Sequence, residues 1–317
     1  MTTPRVKRRL NGVLMLDKAR GASSNAALQQ AKRLYQAAKA GHAGTLDPLA
    51  TGLLPVLFGE ATKFSSDLLE ADKTYAAEIR LGVSTATADA EGEVVATRAV
   101  HVTPEQLAAA LTKFRGSILQ TPPIYSALKH AGKPLYVYAR AGIEIERAPR
   151  QVTIHALTLQ WFEGENLALS ITCSKGTYIR SIAHDLGEML GCGGHLAALR
   201  RTAVGRFGLD CARTLERLQA MPADERDSCL LPVDALLQSL PEVWLKFEQE
   251  ARFVRGQTVQ WNGLLPQARV RVYGADGALL GVGEAHADGT ISPKRVVAND
   301  AAEPAQLKEI QKIGENP

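Results

Sequence analysis

A chain of 317 residues, 45 % hydrophobic and 22 % charged, reads as an ordinary soluble globular protein with room for one large domain and one small one. Its net charge of +4 and pI near 8.8 permit a nucleic-acid partner without demanding one. The cysteines (Cys173, Cys192, Cys211 and Cys229) form no C-x-x-C pair, which argues against a compact zinc site and fits reduced thiols in a cytoplasmic protein, and no apolar run approaches membrane-spanning length.

Arg5, Lys7, Arg8 and Arg9 crowd the N-terminus, where a phosphate-contacting arm and a solvated end are equally consistent readings. The apolar stretch Leu10 to Leu16 is stopped by Asp17-Lys18, too short and broken for a secretory core. Gly12 to Leu16 is predicted as a short buried strand. After the Gly21 turn, Ser23, Ser24 or Asn25 can cap a helix whose apolar positions are Leu28, Ala31, Leu34, Tyr35 and Ala38.

Next comes Gly41-His42-Ala43-Gly44-Thr45-Leu46-Asp47-Pro48-Leu49-Ala50-Thr51-Gly52. Three glycines and a proline in this stretch rule out a regular helix or central strand, so it is a shaped loop. Pro48 biases Asp47 toward extended backbone, and the apolar run Leu53 to Phe58 anchors the loop in a core. An acid presented to a ligand and an Asp that caps a turn both satisfy this pattern.

Lys73-Thr74-Tyr75 opens an alternating strand that is expected to turn at Asp89 to Gly92 and return at Val94-Val95 as a hairpin. Thr103-Pro104-Glu105-Gln106 carries a capping box for a short helix with Leu107, Leu111 and Phe114 inward. Residues 120–150 mix Lys133, Arg140, Arg147 and Arg150 with Tyr136 and Tyr138, which suits RNA or a basic surface loop equally. Val152 to Tyr178 is predicted as a second hairpin turning at Glu163 to Asn166. If the chain is still extended there, Tyr178 and Arg180 share a face; the spacing of Ile179, Ile182, Ala183, Leu186 and Leu190 instead suggests a helix taking over. Gly191 to Gly194 is expected to end that helix and open another through Leu199-Arg200-Arg201, within a mostly helical closing segment, 190–245. From 246 to 300, alternating residues and Asp-Gly turns predict a small β-barrel, followed by a loose tail at 301–317.

The Gly41–Gly52 stretch, together with Gly59-Glu60-Ala61-Thr62-Lys63, closely resembles the signature of the TruB-type tRNA pseudouridine synthases. Pro122-Pro123-Ile124-Tyr125-Ser126-Ala127-Leu128-Lys129 and Lys175-Gly176-Thr177-Tyr178-Ile179-Arg180 are similar to further family stretches. The resemblance implies an α+β fold: a central mixed, mainly antiparallel sheet flanked by helices in residues 1–245, then a PUA-like RNA-binding barrel. It implies Asp47 as the essential carboxylate, Arg180 as its partner, and Tyr75 stacked on the target base. His42 would hold the displaced RNA loop, Leu199 would line the base pocket, Lys18 would stand beside the site, and Tyr178 would contact substrate.

The implied reaction converts uridine 55 in the T-arm of tRNA to pseudouridine after base flipping, without guide RNA. Such an isomerisation is redox-neutral, and the expectation is of no cofactor, no metal, no obligate protein partner and a monomer. A non-catalytic RNA-binding protein and a two-carboxylate glycoside hydrolase are the alternatives.

Overall fold

The computed structural model describes residues 7–261, 263 and 267–298; Arg5 and the expected tail at 301–317 lie outside the described residues. Contacts divide the chain into two units, residues 1–230 and 231–317. The sequence pattern changes later, at 245/246, but Glu242–Trp244 already pairs within the second unit.

In the first unit, Gly12–Lys18 forms the expected buried strand, β1. Ser23 caps the helix α1 (Ser24–Leu34), its hydroxyl accepting from the Ala26 N–H at 3.1 Å and satisfying a donor that a first helical turn leaves free. Strands β2 (Ala40–His42) and β3 (Thr51–Phe58) flank the Gly/Pro loop and pair with each other, while β3 also runs antiparallel to β1. Helix α2 (Ser65–Glu70) leads to β4 (Lys73–Leu81).

The first expected hairpin is built differently. Val83–Thr85 (β5) pairs with the return strand Val94–Thr97 (β6) in a separate two-stranded ribbon, which leaves both edges of β4 to longer partners. Helix α3 (Pro104–Thr112) has both arms of its predicted capping box, and β7 (Gly116–Gln120) follows. The mixed basic and aromatic segment contains only the short ribbon β8 (Lys129–His130) and β9 (Lys133–Pro134) and the helix α4 (Leu135–Arg140). Strands β10 (Arg150–Glu163) and β11 (Asn166–Cys173) form the second expected hairpin. Helix α5 (Ile179–Met189) starts directly after Tyr178, so the helical periodicity prevails and Tyr178 is its N-cap.

The helix expected through Leu199-Arg200-Arg201 is instead the strand β12 (Gly194–Val204). It pairs antiparallel with β4 along its length and parallel with β3 at Thr51 and Gly52, so non-local pairing overrides a weak local helical preference. Two short strands, β13 (Phe207–Gly208) and β14 (Arg213–Thr214), and two short helices, α6 (Leu215–Ala220) and α7 (Ala223–Asp227), complete the unit, so the region after 190 is less helical than expected. Arg8 is held against Asp227 rather than left for phosphates.

The sheet runs β14-β1-β3-β12-β4-β11-β10-β7, mostly antiparallel. Its order puts the loop before β3, the Leu199–Arg201 stretch of β12 and Tyr75 of β4 on three neighbouring strands. Two of its apolar cores flank the strands that carry the site. Helices α3 and α5 cover β4, β10 and β11, while α1 covers β1 and β3; Tyr75 and Leu199 pack against both cores. Each fully buried Leu or Ile there contributes roughly 1.5–3 kcal/mol, which keeps the strands carrying the site from shifting.

The second unit is the small β domain. Strands β15 (Glu242–Trp244), β16 (Val259–Gln260), β17 (Ala268–Tyr273), β18 (Leu279–Ala285) and β19 (Thr290–Val296) assemble in the order β15-β17-β18-β19-β16. Phe253 from the helix Phe247–Val254 plugs their core. Among the described residues no helix is long and apolar enough to cross a membrane.

Candidate active site

The loop between β2 and β3 is fastened at several points. Leu46, Leu49 and Ala50 are buried, so apolar side chains anchor the backbone on both sides of Asp47. The Ser24 hydroxyl donates to the Leu46 carbonyl at 2.8 Å and accepts from the Leu46 N–H at 2.7 Å. The Gly21 N–H donates to the Pro48 carbonyl at 2.8 Å. We predict that Ser24→Ala, which strands two buried backbone groups beside Asp47, destabilises the protein by about 1–3 kcal/mol and also slows turnover. Thermal melting and single-turnover rates check this; unchanged values would show that the loop needs no such clamp.

Arg201 explains two of the loop's glycines. Its backbone passes so close to Gly52 (φ 97°) that a Cβ there would lie 2.3 Å from the Arg201 carbonyl oxygen. At Gly44 (φ 83°) a Cβ would meet the Arg201 guanidinium at 3.2 Å. Both positions have positive φ and a tight approach, so a residue without a side chain is required.

Asp47 Oδ2 lies 3.0 Å from Arg180 Nε. The Arg180 side chain is only 6 % exposed, while Asp47 keeps 42 % of its side-chain surface open toward the cavity. Arg180 also donates to the Thr87 carbonyl at 3.2 Å and the Tyr125 carbonyl at 2.8 Å, and its Nε lies 3.6 Å from buried Asp89. The guanidinium is therefore fixed by several partners and aims one charged edge at Asp47. Crowding by protein raises the Asp47 carboxyl above its ordinary value. Arg180 pulls it down, Asp89 pushes it up, and Lys18 pulls it down.

Around this pair is a cavity of about 340 Å³, lined by Asp47, Tyr75, Tyr178, Arg180, Leu199 and Arg201 among others. It is open on one side and sits at the small end of ligand pockets. A larger groove of about 720 Å³, with Arg20, Trp161 and Arg200, shares Leu199 with it but lacks the acid–arginine pair. Burial raises the Tyr75 and Tyr178 hydroxyls above the ordinary phenol value, while Arg201 pulls Tyr75 back down. The backbone of Tyr178 is clamped by Gln120, whose amide accepts from its N–H at 2.7 Å and donates to its carbonyl at 3.0 Å.

The chain can now be set beside known proteins. A model of the TruB family pseudouridylate synthase N-terminal domain matches residues 32–179, and models of C-terminal domains of the same synthases match 180–238 and 241–297. The protein named tRNA pseudouridine synthase B of Ralstonia nicotianae is 58 % identical over 92 % of this chain and 95 % of its own length. Its counterparts in Aromatoleum aromaticum and Nitrosospira multiformis are 55 % and 52 % identical, each over 93 % of this chain and at least 95 % of their own. The chain belongs to the TruB pseudouridylate synthase family. The archaeal box H/ACA Nop10–Cbf5 complex shares the fold, with a TM-score of 0.70 at 24 % identity over 93 % of this chain and 88 % of that one. A Cbf5–Nop10–Gar1 complex aligns with a TM-score of 0.67 at 26 % identity over 91 % and 84 %.

Within this TruB-family fold, five of the residues singled out in the sequence (Asp47, Tyr75, Tyr178, Arg180 and Leu199) converge on one cavity. Two do not line it. Lys18 is buried behind the loop, donating to the Ala19 and Ala22 carbonyls at 3.0 and 2.7 Å, and burial lowers its pKa while Asp47 opposes that. His42 stands on β2 with a buried, unpartnered Nδ1, and burial depresses its pKa, with Arg201 adding to the effect. Asp89, Arg201, Ser24 and Gln120 are the additions that the motifs did not announce. Asp89 stood in a turn signal, and the others have partners distant in sequence.

Proposed function

We propose that this chain is a tRNA pseudouridine synthase that isomerises uridine 55 of the T-arm, using Asp47 and no guide RNA. The observation that carries this reading is the Asp47–Arg180 pair, 3.0 Å apart at the wall of an open cavity that also holds Tyr75 and Leu199. A cavity of this size takes one nucleotide, so the target uridine leaves its stack and enters alone. Leu199 and the Tyr75 ring supply apolar and aromatic faces for the base. Asp47, oriented by Arg180, attacks or electrostatically assists at the ribose or base while the C1′–N1 bond breaks. The uracil turns, C5 bonds to C1′, and Tyr75 accepts the C5 proton.

Relatives named tRNA pseudouridine synthase B, at 52 % identity and above across nearly the whole chain, support tRNA as the substrate. The same reading makes the enzyme a cytoplasmic monomer that needs no obligate protein partner. A two-acid hydrolase is disfavoured because Asp89, the nearest second carboxylate, is buried behind Arg180 and does not line the cavity.

Carbodiimide mapping by primer extension tests the site on an unmodified tRNA transcript incubated with purified protein alone. One new stop, at uridine 55, is expected. Stops elsewhere, or none without added RNA, would contradict the assignment.

A further inference from the structure

Arg201 is the bulkiest side chain that is essentially buried, at 1 % exposure, and among the described residues no carboxylate pairs with it. A buried guanidinium is costly unless its N–H groups are satisfied and a negative charge meets it at some point in the cycle. Arg201 Nε donates to the Leu53 carbonyl at 2.7 Å and an Nη to the Gly44 carbonyl at 3.0 Å. Both carbonyls belong to the segment that carries Asp47. Arg201 also stands opposite Tyr75 in the β12–β4 ladder, and both line the cavity.

We propose that Arg201 is a positioning residue for proton transfer: held by two carbonyls of the Asp47 segment, its guanidinium is the counter-charge that lets Tyr75 serve as a phenolate base. This rests on the reading of Tyr75 as the acceptor of the C5 proton. Tyr75 releases its proton to water beside Arg201. Once C5 has bonded to C1′, C5 is tetrahedral and the ring carries an N1=C6 double bond. The phenolate oxygen takes the C5 proton. The C–H electron pair forms C5=C6, and the N1=C6 pair moves onto N1, which is protonated by water. The net change is one proton moved from C5 to N1, with nothing oxidised. Burial opposes ionisation of Tyr75 and also of Arg201, while each favours the charged form of the other.

The test is single-turnover kinetics of Arg201→Gln and Arg201→Lys on tRNA transcripts carrying protium or deuterium at uridine C5. Removing help to one proton transfer should slow product formation by about 10²-fold in Arg201→Gln, with partial recovery in Arg201→Lys. The C5 isotope effect should rise above the wild-type value in both variants, because that step becomes limiting. A purely structural loss would slow turnover and leave the isotope effect unchanged, and that result would overturn the inference. Should Arg201→Gln fail to fold, Arg201→Lys carries the comparison. In a Tyr75→Phe background, Arg201→Lys should add little further loss, whereas additive losses would contradict the coupling. A Tyr75→Phe enzyme with wild-type rate and isotope effect would sink the reading of Tyr75 itself, a failure recognisable without any Arg201 variant.

Discussion

Arg180→Met is expected to slow pseudouridine formation by about 10²–10³-fold while tRNA binding is largely kept. Nε is the only group within 4 Å that ties Asp47 to a cation among the described residues, and the same side chain holds the Thr87 and Tyr125 carbonyls on either side. Without it Asp47 loses its orientation and faces Asp89 with no cation between them. Crowding already raises the Asp47 carboxyl above its ordinary value. The ionised form needed for reaction is therefore lost, as pH falls, sooner than for an exposed aspartate. Removing Arg180 takes away the largest opposing influence, so the acid limb of the pH–rate profile should move further toward neutral pH. Arg180→Lys keeps the charge without the planar fork and should fall between the two. Rates measured across pH decide the matter: an acid limb that stays in place in Arg180→Met would mean that the contact does not govern Asp47.

Gly52→Ala should be strongly damaging although it adds a single methyl. The new Cβ would lie 2.3 Å from the Arg201 carbonyl oxygen and 2.9 Å from its nitrogen, both backbone atoms that cannot rotate away. A φ of 97° adds strain of its own. Unfavourable left-handed backbone and overpacking together destabilise by about 2–5 kcal/mol. For a unit of this size that lowers Tm by roughly 5–15 °C. The parallel contact of β3 with β12 would open, separating Asp47 from Leu199 and Arg201, so activity should fall even below the melting range. Gly41→Ala is the control, since a Cβ there meets only Thr62 Cγ2 at 3.8 Å. Equal melting of the two variants would refute this account of Gly52.

The parts of the site visible in the sequence are those written contiguously. The Asp47 loop, the capped α1 and α3, and the β10–β11 hairpin each carry local signals: glycine and proline punctuation, capping residues, strict alternation. Arg201 was hidden because its strand does not alternate. Bulges between Leu196 and Ala198 and between Arg201 and Ala203 shift the inward set, and Leu196 and Leu199 then stand three apart as on a helix. Its pairing partners, Gly52 and Tyr75, lie more than a hundred residues away. Asp89 was hidden for the opposite reason: its neighbours spell a turn, and a turn residue gives no hint that it is buried beside Arg180. The glycines of the motif announced a loop correctly, but only the passage of β12 shows why positions 44 and 52 exclude a side chain.

The most direct measurement of the central claim is tritium release from a tRNA transcript labelled at uridine C5, with wild type and Asp47→Asn compared at saturating enzyme. The substitution keeps shape and removes the charge that Arg180 orients. Stoichiometric release for the T-arm uridine is expected from wild type and none above background from Asp47→Asn, with both proteins binding the tRNA. Release by Asp47→Asn at a rate near wild type would contradict the role given to Asp47, and binding without release by wild type would contradict the synthase itself.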